Sequence, residues 1–171
     1  MSVARTSRGL RVVILGAVLA VQWTFAPSSP HAGTVAFPQT SLAIAGSDGL
    51  RHAFTVEVAR TTAQRSRGLM YRTRLEPDRG MLFIYPAPQI ARMWMKDTPV
   101  ALDMLFIAAD GQVLEIAEHT EPLSQRTIAS RVPVAAVLEL KAGRCAELGI
   151  GPGAQVLYRE FGSLAPVEPE R

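Results

Sequence analysis

Several stretches of the chain alternate hydrophobic and polar residues with a period of two, which is typical of β-strands. His52–Ala59 illustrates the pattern, because Phe54, Val56 and Val58 share one face while Thr55 lies on the other. Further strands are predicted at Leu42–Ala45, Met81–Tyr85, Ala91–Lys96, Leu102–Ala109, Gln112–His119, Val134–Leu140 and Gln155–Tyr158. The pattern therefore predicts a β-rich domain.

Two short helices interrupt the strands. Thr61 and Gln64 form a capping box, in which each side chain satisfies a free backbone N–H at the start of a helix. We predict that this helix runs to about Tyr71, with Gly68 inside it packed closely against another part of the backbone. Ala142–Leu148 is the second helix. The predicted fold class is β-rich α+β, a small bent-sheet or barrel-like domain of about seven strands with two short helices.

The dipeptide Asp110-Gly111 lies between two predicted strands, where it favours a tight hairpin turn. With this turn, Leu105 pairs with Ile116, and Asp103 pairs with Glu118. The register therefore places two acids at the open end of an apolar face, and a slip of one residue would remove this inference.

The ends of the chain differ in character from its middle. Residues 1–32 resemble a secretory signal, with three arginines before an apolar run, and predict an exported protein, periplasmic or extracellular. The membrane is then contacted only through this segment, if it stays uncleaved. Residues 33–41 are predicted as a linker, 42–160 as a single domain and 161–171 as a disordered tail.

Charge and cysteine content narrow the possible functions. The net charge of +3 comes from the signal, because removing its three arginines leaves 15 basic and 15 acidic residues. No basic patch with interleaved aromatics remains, so we expect no nucleic-acid partner. Cys145 is the only cysteine, which excludes an internal disulfide and a metal site with two thiolates. We expect no metal and no cofactor.

The richest polar stretch is Met93–Pro99, with strand-like segments on both sides. We predict that Lys96 of this stretch, together with Arg65 from the helix, forms a cationic spot beside the two paired acids and holds a polar ligand or a protein partner. The candidate binding residues are Arg65, Trp94, Lys96, Asp97, Thr98, Asp103, Glu118 and Glu139. A purely structural turn, in which Lys96 is solvated, is the simpler alternative.

Three other functions remain open. A structural or interaction role is the main rival to ligand binding. Asp103 and Glu118 are a carboxylate pair of the kind that hydrolyses glycosides. No catalytic residue is identified, however, and an enzyme is the less favoured interpretation. The third possibility is Cu(I) bound by thioether sulfurs, for which the candidates are Met70, Met81, Met93, Met95 and Met104.

The order and spacing of several short motifs resemble domain-of-unknown-function family 192, a set of uncharacterised bacterial and archaeal proteins. The matching motifs include Gln64-Arg65, Gly68-Leu69-Met70, Gly80-Met81-Leu82-Phe83, Trp94-Met95-Lys96-Asp97-Thr98, Leu102-Asp103 and Val137-Leu138-Glu139-Leu140. The resemblance implies a barrel-like fold and no established reaction. Asp97 stands where the family more often has Asn, and Gly153-Ala154 stands where Gly-Asp is common, so no carboxylate role carries over there.

Overall fold

The computed structural model describes residues 35–162. Its strands are β1 (Gln39–Ala45), β2 (Arg51–Ala59), β3 (Arg79–Gln89), β4 (Arg92–Met93), β5 (Leu102–Ile107), β6 (Val113–Ala117), β7 (Ile128–Ala129), β8 (Val134–Lys141) and β9 (Gln155–Leu157). Its helices are α1 (Thr62–Arg67), α2 (Arg144–Glu147) and a 3₁₀ turn at Arg159–Phe161. The predicted signal and most of the predicted tail lie outside these residues. Within the described range, no helix is long and apolar enough to cross a membrane.

Seven strands form one curled sheet in the order β6-β5-β8-β3-β2-β1-β9. Only β2 and β3 run parallel among these neighbours. The two edges of the sheet meet where Gln112 bridges Gln155 and the Val113 N–H donates to the Ala154 carbonyl at 2.8 Å. This closure pairs part of both edges, which otherwise would leave free backbone groups. It confirms the predicted barrel-like α+β fold with seven strands and two short helices.

The first strand extends into the segment that the sequence predicts as a linker. β1 begins at Gln39, whose Cα pairs with that of Glu57 on β2. The first three residues of β1 are polar, and the apolar run begins only at Leu42. Hydrophobicity alone therefore placed the strand start too late, because backbone pairing holds residues whose side chains stay largely outside the core.

The helix α1 begins as predicted and ends earlier. Thr61 is the N-cap, and the reciprocal bonds between Thr61 and Gln64 form the predicted capping box. The helix stops at Arg67 because Gly68 adopts φ 47°, a conformation that L side chains rarely adopt. A Cβ on Gly68 would lie 3.2 Å from Cζ of Phe83 on β3. The predicted close approach is thus to a side chain of a strand, and Gly68 ends the helix instead of lying inside it.

The β5–β6 hairpin keeps most of its predicted register. Leu105 pairs with Ile116 as predicted. The same predicted register pairs Ile107 with Leu114, but a bulge after Phe106 shifts the partner of Ile107 to Val113. The predicted strand at residues 91–96 is shorter than expected. Only Arg92–Met93 is a strand, and it pairs with β7 in a separate two-stranded sheet. The chain then turns, since the Thr98 N–H donates to the Met95 carbonyl at 3.0 Å.

The curled sheet has an apolar core on each face, because successive side chains of a strand point to opposite sides. The inner core lies inside the curl and includes Leu105, Ile107, Leu138, Leu140 and Cys145. The outer core includes Met81, Phe83, Met95, Leu102, Met104, Phe106 and Val137. Alternation therefore puts Asp103 of β5 on the inner face and Glu139 of β8 on the outer face. Both acids are buried, with exposures of 0% and 4%.

Candidate functional site

A cleft opens on the outer face of the sheet, between the end of α1 and the loop that follows β4. It is lined by Arg65, Ser66, Arg67, Gly68, Leu69, Met70, Phe83, Arg92, Met93, Trp94, Lys96, Thr98 and Glu139. Its volume is about 60 Å³. Pockets for drug-sized molecules measure about 300–1,000 Å³. The cleft therefore accommodates a small polar group instead of a whole drug-sized molecule.

Glu139 is the buried acid of this cleft. Its side chain extends from β8 among the apolar residues of the outer core, and Oε2 has no hydrogen-bond partner among the described residues. Burial raises the pKa of Glu139 to about 8, because a low-dielectric environment disfavours the charged form. At neutral pH the carboxyl is mainly protonated, so it is able to donate a hydrogen bond into the cleft.

Four cationic side chains line the same cleft: Arg65, Arg67, Arg92 and Lys96. None of them takes part in an ion pair with an acid of the described chain. The pairs that do form lie elsewhere, such as Arg72 with Glu57. Since Glu139 is mainly neutral at pH 7, the lining of the cleft carries an excess of positive charge, and no ion pair of the described residues neutralises any of the four cations.

Aromatic rings hold three of the cations in place. Arg67 lies over the ring of Tyr71 at 4.6 Å, and Lys96 lies over Trp94 at 5.6 Å. Arg65 lies 5.8 Å from the centroid of Tyr85. Such contacts orient a cation without neutralising it. The N–H groups that point away from each ring therefore remain available to an anion.

Arg65 and Glu139 have Tyr85 as a common neighbour. The Arg65 guanidinium donates through Nη1 to the carbonyls of Arg60 and Ile84, the latter at 3.3 Å. Its other nitrogens have no hydrogen bond to the described residues. The pKa of Tyr85 is raised to about 12, mainly by burial, with Arg65 opposing the rise and Glu139 adding to it. Arg65 and Glu139 therefore both lie close enough to Tyr85 to influence its pKa.

The loop after β4 is held in an unusual backbone conformation. Asp97 has φ 55°, and its carbonyl accepts the N–H of Tyr71 at 2.6 Å. The Tyr71 hydroxyl also donates to Asp97 Oδ2 at 3.1 Å. On the other side of the loop, the Leu123 N–H donates to the Thr98 carbonyl at 3.0 Å. Thr98 is buried, and its hydroxyl donates to the Lys96 carbonyl at 3.2 Å.

Backbone strain is concentrated in this region. Over residues 35–162, the non-glycine residues with positive φ are Tyr71, Asp97, His119 and Leu123. Tyr71 and Leu123 are bulky, and for such residues positive φ is a genuine outlier. Both make backbone hydrogen bonds to the Asp97-Thr98 turn. Strain of this kind collects at functional sites, where the surrounding structure holds it.

The structure divides the predicted binding residues into two groups. Arg65, Trp94, Lys96, Thr98 and Glu139 all line the cleft. Asp97, Asp103 and Glu118 are not among the lining residues. Asp97 supports the loop from behind through Tyr71. The predicted arrangement of Lys96 and Arg65 around Asp103 is wrong, because Asp103 lies on the opposite face of the sheet.

Asp103 has its own partners on the inner face. Oδ1 accepts the backbone N–H of His119 at 3.0 Å, and Oδ2 accepts the N–H of Cys145 at 3.1 Å. Glu118, by contrast, is exposed. Both Asp103 oxygens are engaged at zero exposure, so the pair does not supply the two accessible carboxylates that glycoside hydrolysis needs. Asp103 ties β5 to the start of α2.

Cys145 is buried beside this carboxylate. Burial raises the pKa of the thiol, and the negative charges of Asp103 and Glu118 raise it further. The thiol therefore stays protonated and packs as a small apolar side chain, which agrees with its place in the inner core.

The methionines are distributed over two environments. Met81, Met95 and Met104 are fully buried in the outer core. Met70 and Met93 line the cleft, where Met93 Sδ accepts the hydroxyl of Tyr85 at 3.5 Å. Residues 35–162 also contain no group of three His, Cys, Asp or Glu side chains that could hold a metal ion. The sulfurs are therefore not gathered into one exposed cluster.

Sequence reasoning missed two cations of the cleft, Arg67 and Arg92. Arg92 carries a recognisable signal, since strand alternation puts it on the same side as Trp94 and Lys96. Arg67 has none, because its position follows from the end of α1 at Gly68, and the sequence predicted a longer helix. Tyr71 and Tyr85 were also missed, because their roles depend on contacts with Asp97 and Arg65, which lie far from them in the sequence.

Comparison with known proteins gives a family and two similar folds. The model of the family DUF192, described as uncharacterized ACR, matches residues 43–158. A crystal structure from Sinorhizobium meliloti 1021, of a protein named as a candidate transcription regulator, has a TM-score of 0.71 and 44% identity, covering 72% of this chain and 96% of that one. A protein of unknown function from Novosphingobium aromaticivorans DSM 12444 has a TM-score of 0.68 and 38% identity, and the match covers 70% of this chain and 85% of that one. No curated protein matches the sequence.

Proposed function

The chain belongs to the DUF192 family, and from the geometry of its cleft we propose that it binds a small anionic group. The observation that carries the proposal is the set of four cleft cations, none of which has an acidic partner in residues 35–162. Unpaired cations on the wall of a concave site attract an anion and raise its local concentration.

Glu139 gives the site a second kind of group. The carboxyl is buried and unpartnered at Oε2, and at neutral pH it holds a proton. A buried polar atom without a partner costs free energy, commonly about 1–3 kcal/mol. A bound anion that accepts a hydrogen bond from the protonated Glu139 carboxyl removes this cost. The preferred anion therefore presents at least two acceptor oxygens, one for the guanidinium of Arg65 and one for Glu139.

Titration with simple anions tests the proposal. NMR chemical-shift titration of the purified protein with sodium acetate and with inorganic phosphate, at constant ionic strength, measures Kd in the millimolar range. Lys96→Gln should weaken binding by about tenfold, since a hydrogen bond to a charged group contributes about 1.5 kcal/mol or more. Lys96 suits the test because its side chain is exposed and makes no hydrogen bond within the described range.

Arg51→Gln is the matched control. Arg51 is an exposed cation on β2, outside the cleft and in no ion pair of the described residues. We expect this variant to bind both anions as the wild type does. Equal losses in Lys96→Gln and Arg51→Gln would indicate nonspecific attraction and contradict the proposal, as would the absence of any saturable shift at Lys96 and Trp94.

We further propose that the protein is exported. The support is the basic and then apolar sequence of residues 1–32. N-terminal sequencing of the protein from a cell-envelope fraction should give a first residue between about 27 and 33. Intact Met1 in a soluble cytosolic fraction would contradict export and would leave the binding proposal untouched.

A further inference from the structure

The rim of the cleft is apolar and exposed. Tyr71, Trp94 and Leu123 have exposures of 61%, 50% and 59%, and all three are large hydrophobic residues. The rings of Tyr71 and Trp94 each contact a cleft cation, Arg67 and Lys96. The main chain of Leu123 lies beside the turn after Lys96, because its N–H donates to the Thr98 carbonyl. We call these three residues the rim.

Trp94 lines the cleft and is half exposed, whereas Tyr71 and Leu123 are not among its lining residues. A cleft of about 60 Å³ has room for a small head group, since pockets for drug-sized ligands measure about 300–1,000 Å³. Any larger ligand that places its anionic end in the cleft must therefore lie across the surface outside. Scattered single hydrophobic residues need no explanation, but here two aromatic rings stack on cations of one cleft and Leu123 lies beside the turn that follows Lys96.

The charges at the opening limit what the ligand is. The cleft side carries unpaired cations, whereas the loop that holds Leu123 also carries exposed Glu118 and Glu121. A uniformly anionic surface such as a lipid bilayer would meet repulsion from these two acids. A ligand with one localised negative charge and an uncharged apolar body avoids them.

From this arrangement, which rests on the proposed anion site, we infer that the ligand is an amphiphilic carboxylate, whose carboxylate enters the cleft and whose apolar body lies on the rim. A carboxylate fits the cleft because one of its oxygens can accept a hydrogen bond from Arg65 and the other from the Glu139 carboxyl. The body adds affinity by removing rim and ligand surface from water. A free alkyl acid and the C-terminus of a polypeptide with an apolar last residue share this chemistry.

Matched ligand pairs test the inference. NMR titration of the purified protein with acetate and octanoate gives the gain from an alkyl body, and N-acetylglycine with N-acetylleucine gives the gain for a peptide-like body. We expect at least one pair to show a gain of about tenfold, as burial of about 60 Å² of apolar surface implies. The pair with the larger gain distinguishes the two sources. N-acetylleucine amide, which lacks the carboxylate, should not bind.

Rim variants localise the gain. Trp94→Ala and Leu123→Ser should each lower the octanoate-to-acetate or N-acetylleucine-to-N-acetylglycine affinity ratio at least about threefold. Leu50→Ser is the matched control, because Leu50 is 60% exposed on the turn between β1 and β2, away from the rim. It should leave both ratios unchanged.

The outcomes separate this inference from the function on which it rests. In one outcome, acetate binds saturably and loses affinity in Lys96→Gln, while octanoate and N-acetylleucine bind no more tightly than acetate and N-acetylglycine. That result overturns the amphiphilic ligand and supports the anion site. The same result together with cosedimentation on phosphatidylglycerol vesicles would assign the rim to a membrane surface instead. Absence of acetate, phosphate and octanoate binding overturns both proposals. Tighter binding of phosphate than of octanoate overturns the carboxylate assignment.

Discussion

Two buried acids of adjacent strands, Asp103 on β5 and Glu139 on β8, differ in what satisfies them. Their neighbours Met104 and Leu140 place them one register step apart, since Met104 pairs with Glu139 and Asp103 pairs with Leu140. Asp103 faces the inner core and accepts two backbone N–H groups. Glu139 faces the cleft, with Oε2 unpartnered among the described residues.

The difference distinguishes a structural acid from an acid available for binding. A satisfied buried carboxylate stabilises the fold, because its hydrogen bonds join segments that are far apart in sequence. A buried carboxyl without a hydrogen-bond partner lowers stability, and a ligand that supplies this partner restores the lost free energy. Stability and binding measurements should therefore separate the two residues clearly.

The largest effect is expected for Asp103→Asn. An amide has one acceptor oxygen, so its NH₂ group would face either the His119 or the Cys145 N–H, and one buried donor would lose its partner. We expect the free energy of unfolding to fall by about 3 kcal/mol, measured by urea denaturation. Asp48→Asn is the control, since Asp48 accepts the Leu50 N–H on an exposed turn. A loss under about 1 kcal/mol for Asp103→Asn would remove the contrast between the two acids.

The next effect is a pH dependence caused by Glu139. Its pKa is about 8 in the folded protein, against an ordinary value of 4.5. Between these values the unfolded chain has released the proton while the folded chain keeps it. Stability therefore falls as pH rises from about 4.5 to about 8, by at most about 1.4 kcal/mol per pH unit, and levels off above that range.

Glu139→Gln should remove this contribution. Relative to the variant, the wild type should lose about 2–3 kcal/mol between pH 5.5 and pH 7.5, measured by urea denaturation at each pH. Glu118→Gln, a change of an exposed acid, should keep the wild-type slope. Parallel curves for the wild type and Glu139→Gln would mean that the Glu139 carboxyl has found a partner or water.

A smaller loss is expected at Gly68, which shapes the wall of the cleft. Gly68→Leu combines positive φ with a Cβ 3.2 Å from Phe83 Cζ. We expect the free energy of unfolding to fall by about 1–3 kcal/mol. Gly49→Leu is a useful control, because φ is also positive there but no atom lies within 4 Å of the added Cβ. Equal losses in both variants would show that backbone strain alone acts, without any effect of packing in the cleft.

The sequence predicted the elements of this fold better than it predicted the faces on which acids lie. Period-two alternation and the Asp110-Gly111 turn identified the strands, and the Leu105–Ile116 pairing was confirmed. Placing Asp103 beside Lys96 failed because their closeness in sequence suggested closeness in space. Which face of the curled sheet the loop after β4 covers depends on long-range packing, and alternation along one strand does not reveal it.

The site was partly predictable for the same reason. Arg65, Lys96 and Glu139 were identified because charged residues at the ends of apolar strands or on a short helix are conspicuous in the sequence. The absence of acidic partners for the cations is a property of tertiary structure. It depends on ion pairs such as Arg72–Glu57 forming elsewhere, and no pattern in the sequence assigns those partners.

The smallest effect tests the acid that lies behind the cleft. Asp97 has φ 55°, where Asn and Asp are both tolerated, and its role in the turn is to accept the Tyr71 hydroxyl at 3.1 Å. The amide oxygen of Asn is able to accept the same bond, so Asp97→Asn should change the free energy of unfolding by less than about 0.5 kcal/mol.

The same change removes a negative charge next to Lys96 in the loop, and it should tighten acetate binding by about twofold through reduced repulsion. Asp97→Ala has the same charge effect but loses the acceptor, so its stability should fall by about 1 kcal/mol. Comparison of the two variants by NMR titration and urea denaturation separates charge from turn geometry. A loss of acetate binding in Asp97→Asn without a loss of stability would contradict this account, because a carboxylate near the site repels an anion and its removal should not weaken binding.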